Sequence, residues 1–300
     1  MCNLQTQNIH IKTPLASIIK AYFKLTKFRL TSTVAFSSGM GYILAEHGKV
    51  DWLNLCIFLI GGFCITVSAN IINQIIERDS DKLMKRTANR PMPLGLIGLN
   101  EAMVTSILFL IAGIVILAVF STLNALILSL ISLILYSFVY TPLKTISPIA
   151  VFVGAFPGAF PPMIGWLAVS GEYGWEPGIL FAIQFFWQFP HFWAIAWVLD
   201  EDYKKAGIKL LPTKEGRNKH TASIIMTYTL CLLPLSFLPY LFGVCGIYSA
   251  YIAFACSILF FFQTLYLWKE CTVKAALLLM FGSFLYLPIV QIAFVLDKIY

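Results

Sequence analysis

Asn73-Gln-Ile-Ile-Glu77-Arg-Asp79-Ser-Asp81-Lys-Leu-Met-Lys85-Arg86-Thr-Ala-Asn89-Arg90-Pro91 follows directly on an apolar run, Trp52 to Ile76, long enough to cross a bilayer. Ionisable groups at the end of such a run are costly and usually functional. Asn73, Glu77 and Asp81 fall at intervals of four, so a helix puts them on one polar stripe. Oxygen ligands on one face suit Mg²⁺, which takes one or two carboxylates and completes its shell with water and substrate phosphate. Lys85, Arg86 and Arg90 offer charge to the same phosphate. Alternatively, Glu77 and Asp81 merely solvate a helix end and pair with Arg78 and Lys85. Asn73 tips the balance toward function, because it lies a turn deeper and has no part in a solvated terminus. Asp79 is two residues from both acids and faces elsewhere. The stripe reads as a metal–diphosphate site at a membrane surface.

Composition agrees with the membrane setting. The 300 residues are 59% hydrophobic and 12% charged, against about 25% charged in a soluble domain. Nine apolar runs are predicted to span: 30–45, 52–76, 103–120, 123–140, 149–169, 178–199, 223–244, 247–268 and 273–296. The third and fourth touch at Ser121-Thr122, which leaves a count of eight open. Basic residues divide unevenly among the loops these runs define: of 21, only Lys49 and Lys298 fall on the side opposite the rest. The positive-inside rule then places the N-terminus in the cytoplasm, or the equivalent compartment, and the C-terminus outside; the expected location is a bacterial inner membrane. Anionic lipid accounts for the net charge of +7, so no nucleic-acid partner is implied. The tail, residues 1–28, lacks a signal-peptide pattern. Its segment Lys12–Lys27 is predicted to be an interfacial amphipathic helix with Leu15, Ile18, Ile19, Tyr22 and Phe23 on one side. The seven cysteines are scattered without a C-x-x-C and read as packing residues.

A second loop echoes the first. It opens with Asp200-Glu201-Asp202, turns basic at Lys204-Lys205 and closes at Leu211-Pro212. Asp200 and Asp202 are therefore expected to complete a two-sided clamp on metal and diphosphate, although a solvated helix end explains them equally well in isolation. Similar loops after the second and sixth runs suggest two four-helix halves facing each other across one cavity. The expected fold is all-α: nine transmembrane helices, residues 29–300 as one domain, around a central cavity open to the cytoplasmic side.

Three further segments carry polar groups at membrane depth. Trp187-Gln188-Phe-Pro190-His191-Phe192 sets a histidine one turn after a glutamine among aromatic rings, which suits a flat apolar ligand such as a tetrapyrrole. A satisfied buried histidine is the bland alternative. Tyr140-Thr-Pro-Leu-Lys144 ends a run on the charged face, and Lys144 can hold a phosphate or a propionate, or simply anchor the helix. Gly154 to Trp166 is rich in Gly and Pro, which points to a kinked, closely packed helix.

On these residues the chain resembles the intramembrane aromatic (UbiA-type) prenyltransferases, and within them the haem O synthases, or protohaem IX farnesyltransferases. The broad signal is Asn73-x-x-x-Glu77-x-x-x-Asp81. The closer one adds Met84-Lys-Arg86-Thr-Ala-Asn89-Arg90-Pro91-Met-Pro93, Tyr140-Thr-Pro-Leu-Lys144, Pro161-Pro-Met-Ile-Gly165-Trp166, Trp187-Gln188-x-Pro190-His191-Phe192 and Asp202-Tyr203-x-x-Ala206-Gly207-Ile208-x-x-Leu211-Pro212. The order holds from about Lys27 to the C-terminus. Gln74, Glu77, Phe28, Ser80 and Lys209 depart from the usual residues, and none removes an expected ligand. The resemblance implies transfer of farnesyl from farnesyl diphosphate to a vinyl group of haem b, with Mg²⁺ as cofactor and haem as substrate. It implies Asn73, Glu77, Asp81 and Asp202 as catalytic residues, and Glu77, Asp81, Asp200 and Asp202 around metal. Lys85, Arg86, Arg90 and Lys144 would hold diphosphate; Tyr140, Trp187, Gln188 and His191 would contact haem. The partners implied are the two substrates and the lipid bilayer, with a haem a synthase as a candidate neighbour. Two other readings stay open on the stripe alone: a sister prenyltransferase acting on a quinone-precursor aromatic acid, and a secondary transporter, which the clustering of acids at one membrane face disfavours.

Overall fold

The computed structural model describes residues 15–299. The first fourteen residues, including Lys12 and the start of the expected interfacial helix, lie outside them. Four of the helices begin where a capping side chain, Asp51, Thr122, Asn218 or Thr272, accepts from an orphan backbone N–H. Helix α1 spans Leu15–Leu25 and α2 spans Phe28–Ala45. Asp51 caps α3 (Trp52–Ile76), and a single turn, α4 (Arg78–Asp81), follows it. After α5 (Leu99–Phe120) the chain breaks at Ser121, and Thr122 caps α6 (Leu123–Ile134) through Ala125 N at 3.3 Å. The third and fourth apolar runs are therefore separate helices. A π-helical stretch, Leu135–Tyr140, joins α6 to α7 (Thr141–Ile146). Then come α8 (Ala150–Ser170), α9 (Trp175–Val198), α10 (Asp200–Lys205), α11 (Lys219–Leu235), α12 (Leu238–Leu241), α13 (Ile247–Glu270) and α14 (Val273–Leu296). Among the described residues the only β feature is one isolated bridge, Cys245 with Lys298.

Eight helical stretches among these residues are long and apolar enough to cross a membrane. The first expected span, α2, is not one of them. It has 18 residues and carries Arg29, Thr31, Ser32, Thr33, Ser37 and Ser38. Those polar groups are tolerated because several turn inward: Thr31, Ser37 and Ser38 are buried. Against α8 the two backbones touch. A Cβ on Gly41 would sit 1.9 Å from Pro162 O, and one on Gly165 1.8 Å from Ser38 O, so only glycine fits at either place.

Helix α8 belongs to both main cores. Its first turns (Ala150, Val151, Ala155) pack with α9, α11, α13 and α14. Its later turns (Phe160, Ile164, Leu167, Ala168) pack with α2, α3, α5 and α6. Two helix groups exist, as expected, and they meet on the shared helix α8. A third cluster docks α1 through Ala21 and Leu25 onto Val67 and Ile71 of α3. Ile18, Ile19 and Phe23 of α1 are left exposed.

Candidate functional site

A cavity of about 700 Å³ opens among α2, α3, α6 and α8, with Phe192 and Ile195 of α9 on its wall. Its deep wall is apolar, with Phe58, Leu59, Ile65, Leu133 and Ile164; α11, α13 and α14 contribute nothing to it. Its mouth is charged: Lys27, Glu77, Asp81, Arg86, Arg90 and Lys144 line it.

The acidic stripe survives a break in its helix. Glu77 leaves α3 at φ −89°, ψ 1°. The i to i−4 ladder nevertheless continues, from Glu77 N to Asn73 O (3.0 Å) and from Asp81 N to Glu77 O (2.8 Å). Asn73, Glu77 and Asp81 therefore stay on one face, and all three are buried. Asn73 Nδ2 donates to Glu77 Oε1 (2.7 Å) and to Thr141 Oγ1 (3.0 Å). Glu77 Oε1 also pairs with Lys144, which is itself buried. Arg90 Nη1 donates to Asp81 Oδ2 at 2.6 Å and lies 3.8 Å from Glu77 Oε2. Among the described residues Asp81 Oδ1 is buried with no hydrogen-bond partner. Burying a carboxylate oxygen unpaired is expensive, and a hard cation is the partner such an oxygen suits. The residues present thus fit Mg²⁺ held by Glu77 and Asp81, with phosphate oxygens completing the shell.

The other expected acids are placed differently. Among the described residues no three or more His, Cys, Asp or Glu side chains gather into a metal-binding group. Asp200 and Asp202 are absent from the cavity wall. Leu199 interrupts the helix between α9 and α10, and the acids turn to local cations. Lys204 Nζ lies 2.7 Å from Asp200, and Lys205 Nζ lies 3.0 Å from Asp202. The Lys205 hydrogen bond holds the Asp202 carboxyl below its usual value, with smaller help from the backbone N–H groups of Arg86 and Lys85. The Asp202 carboxylate thereby faces the backbone of the loop that carries Arg86. Lys85 is exposed and off the cavity wall. Asp79 faces away as expected, paired with Arg78 and Lys82.

Sequence reasoning overlooked two groups. Lys27, read only as a topogenic charge, reaches Asn73 Oδ1 at 2.7 Å. Its backbone is left-handed (φ 48°), an unusual state for a non-glycine residue and a common mark of function. Burial, then repulsion from Arg90 and Lys144, pushes its pKa down to about 7, against a partly offsetting pull from Glu77. Tyr136 is the second. The π-helical turn brings it over Tyr140, ring centroids 5.8 Å apart, and both line the cavity. A helical period of 3.6 does not reveal that face.

The expected haem contacts separate. Tyr140 is in the cavity. Gln188 points to α8, with Nε2 3.4 Å from Ala155 O. Trp187 and His191 turn toward α14, where Trp187 Nε1 donates to Ser283 O (3.1 Å) and His191 Nδ1 meets Ser283 Oγ (2.7 Å). Phe192 and Ile195 line the cavity; His191 does not.

The sequence matches the UbiA prenyltransferase family over residues 34–286. A protoheme IX farnesyltransferase of Cytophaga hutchinsonii is 85% identical over 286 residues, covering 95% of this chain and 100% of that protein. Among solved structures, a digeranylgeranylglyceryl phosphate synthase superposes with a TM-score of 0.78 at 25% identity, covering 94% of this chain and 98% of its own. A UbiA homolog from Archaeoglobus fulgidus, bound to GPP and Mg²⁺, superposes with a TM-score of 0.67 at 16% identity, covering 91% and 99%.

Proposed function

Because the chain belongs to the UbiA prenyltransferase family, we propose that it transfers the farnesyl group of farnesyl diphosphate to a vinyl group of haem b, giving haem O and pyrophosphate. The observation that carries the reaction class is the buried Glu77–Asp81 pair, one oxygen unpartnered, ringed by Lys27, Arg86, Arg90 and Lys144 at the mouth of an apolar cavity. The protoheme IX farnesyltransferase at 85% identity supports the choice of substrates.

The diphosphate lies at the charged mouth and the farnesyl chain along the apolar wall. When bound to Glu77 and Asp81, Mg²⁺ supplies the Lewis-acid charge that a departing diphosphate needs. Arg90 and Lys144 hold those carboxylates before substrate arrives and then donate to phosphate oxygens. Asn73 ties Lys27 to Glu77 and keeps both in register. The bond between farnesyl C1 and the diphosphate oxygen breaks, leaving an allylic cation. The paired rings of Tyr136 and Tyr140 offer it their π-faces. The terminal carbon of the haem vinyl group forms the new C–C bond. Water captures the cation left at the neighbouring carbon and releases a proton, which creates the hydroxyl. Apolar walls delay water until that step.

The chain is read as an integral membrane protein with nine spans, α2 included, with the N-terminus cytoplasmic and the C-terminus outside. The distribution of basic residues supports this. A reporter fused after Tyr300 should report an external location; a cytoplasmic signal removes one span. The exposed Ile18, Ile19 and Phe23 support an interfacial position for α1. The activity itself is tested by incubating purified protein with haem b, farnesyl diphosphate and Mg²⁺ and seeking farnesylated haem by mass spectrometry. Absence of that product, alongside farnesylation of an aromatic acid, would overturn the substrate assignment.

A further inference from the structure

The cavity is longer than a farnesyl chain. Helix α3 runs beside it from the charged mouth inward, and Glu77, Thr66, Gly62 and Phe58 line it at successive depths. At about 1.5 Å per residue, Thr66, Gly62 and Phe58 lie roughly 17, 23 and 29 Å from Glu77 along the helix. A fully extended chain advances about 1.2 Å per bond, so the eleven bonds from C1 to C12 of farnesyl reach about 13 Å. Two metal–oxygen bonds between carboxylate and phosphate add about 4 Å. The farnesyl tail therefore ends near Thr66. Extension is its greatest reach, and any bend leaves more of the cavity empty. One further isoprene unit, four bonds and about 5 Å, brings the tail to Gly62.

The space beyond Thr66 is open, apolar in effect and floored. Two adjacent glycines show why it is open. A Cβ at Gly61 would sit 2.8 Å from Leu117 of α5, so close packing requires that glycine. A Cβ at Gly62, among the described residues, meets nothing within 4 Å beyond its own stretch of helix. Gly62 faces the cavity, and its missing side chain is cavity volume. Hydroxyls on this part of the wall ask nothing of a ligand. Thr66 Oγ1 donates to Gly62 O (2.8 Å), Ser129 Oγ to Ala125 O (2.7 Å) and Ser132 Oγ to Pro157 O (3.3 Å). The floor is held in place: the Phe58 ring packs on Tyr42 with centroids 5.5 Å apart, and Tyr42 OH accepts from Asn54 Nδ2 at 3.1 Å.

We propose that the enzyme also accepts a donor one isoprene unit longer than farnesyl, geranylgeranyl diphosphate, and that Gly62 is the specificity-determining residue that admits it. This rests on the prenyl-transfer reading above. The bonds made and broken are the same. The C1–oxygen bond breaks with its electron pair leaving on diphosphate, and C1 joins the terminal vinyl carbon. Water adds at the neighbouring carbon and loses a proton. Only the tail differs: its fourth unit lies beside Gly62 and stops short of Phe58.

The test compares two unreactive probes, the thiolodiphosphate analogues of farnesyl and geranylgeranyl diphosphate, titrated with Mg²⁺ into the purified full-length protein. The native protein should bind both within about tenfold of each other, since one more buried unit costs no polar contact. Gly62→Leu should keep farnesyl affinity within about threefold and weaken the longer probe by about ten- to two-hundredfold. Gly62→Ala should shift the ratio the same way by a smaller factor. Retained farnesyl binding shows that each variant is folded. A native protein that rejects the longer probe by more than about a hundredfold overturns the proposal whatever the variants do. Equal loss of both probes, or of neither, in both variants removes Gly62 from the selection. Mass spectrometry of products from haem b and each diphosphate separates this claim from the one beneath it. Farnesylated haem without any geranylgeranylated haem overturns the longer donor alone. If neither donor yields prenylated haem, the functional reading falls, and the paired affinities still decide how long a chain the cavity holds.

Discussion

The loop after α3 and the loop after α9 are written in nearly the same residues and do opposite things. Each opens with acids at a helix end and continues with lysines or arginines. In the first, the Glu77 and Asp81 side chains are 7% and 0% exposed, their cations come from distant Arg90 and Lys144, and one oxygen is unpartnered. In the second, Asp200 and Asp202 are 13% and 16% exposed and pair with lysines one turn further along the same helix, with Arg217 a further 3.7 Å from Asp200. Local pairing of this kind contributes little and leaves nothing free for a ligand. The second loop instead supports the first: Asp202 faces the Lys85–Arg86 backbone, Lys209 N donates to Lys144 O at 2.8 Å, and Tyr203, Ile208 and Leu210 close part of the cavity wall. Burial and the source of the counter-charge, rather than composition, separate the working loop from its brace.

That contrast breaks most readily at the carboxylates. Glu77→Gln and Asp81→Asn should each lower kcat by about a thousandfold or more, in line with the several kcal/mol a metal gives to a leaving anion, while the haem spectrum stays native. Near-normal turnover in either variant would erase the distinction. Lys144→Ala and Arg90→Ala should cost on the order of a hundredfold in kcat/KM, with Lys144→Arg recovering part of it, as steady-state assays would show.

Lys27 gives a smaller, pH-dependent effect. With its pKa down at about 7 in the free enzyme, it is charged below that pH and neutral above. Diphosphate favours the charged form. The KM for farnesyl diphosphate should therefore rise several-fold per pH unit above about 7, and Lys27→Arg, protonated throughout, should flatten the profile. The same shift has a stability sign: between about 7 and the ordinary lysine value the unfolded chain binds more protons, so folding gains stability as pH rises through that window. A KM that is level from pH 6 to 9 in the native enzyme would remove Lys27 from the site. Smallest of all, Asp200→Asn should change kcat by less than about threefold, and Asp202→Asn by less than about tenfold, through a looser Arg86 loop. A loss matching that of Asp81→Asn would make the second loop a true clamp after all.

Much of this was legible in the residues, for identifiable reasons. Helices of membrane length announce themselves by hydropathy, and the stripe from Asn73 to Asp81 needed only the four-residue period, which persists through the break at Glu77. What hid was whatever depended on an irregular backbone or on a neighbour. Lys27 enters the site through a left-handed turn, and Tyr136 through a π-helical one. His191 and Phe192 are adjacent in sequence yet face different spaces, because α14 packs on one side of α9 and the cavity opens on the other. The fate of Asp200 and Asp202 turned on lysines whose reach cannot be weighed without coordinates. The polar α2 spoke weakly as a span because its serines and threonines are spent on internal contacts, such as Ser37 with Gln184.

The division of α8 between two cores bears on how the molecule comes apart. A chain with two separate cores can melt in two stages, each half keeping its order while the other is lost. Here the first turns of one helix anchor one core and its last turns the other. Fraying either end pulls on the opposite core through an unbroken run of backbone, and the glycine crossing with α2 leaves no slack to absorb it. Heating or denaturant should therefore meet one cooperative transition, and the enzyme has no half-folded form in which the diphosphate site outlives the seam at α9 and α14.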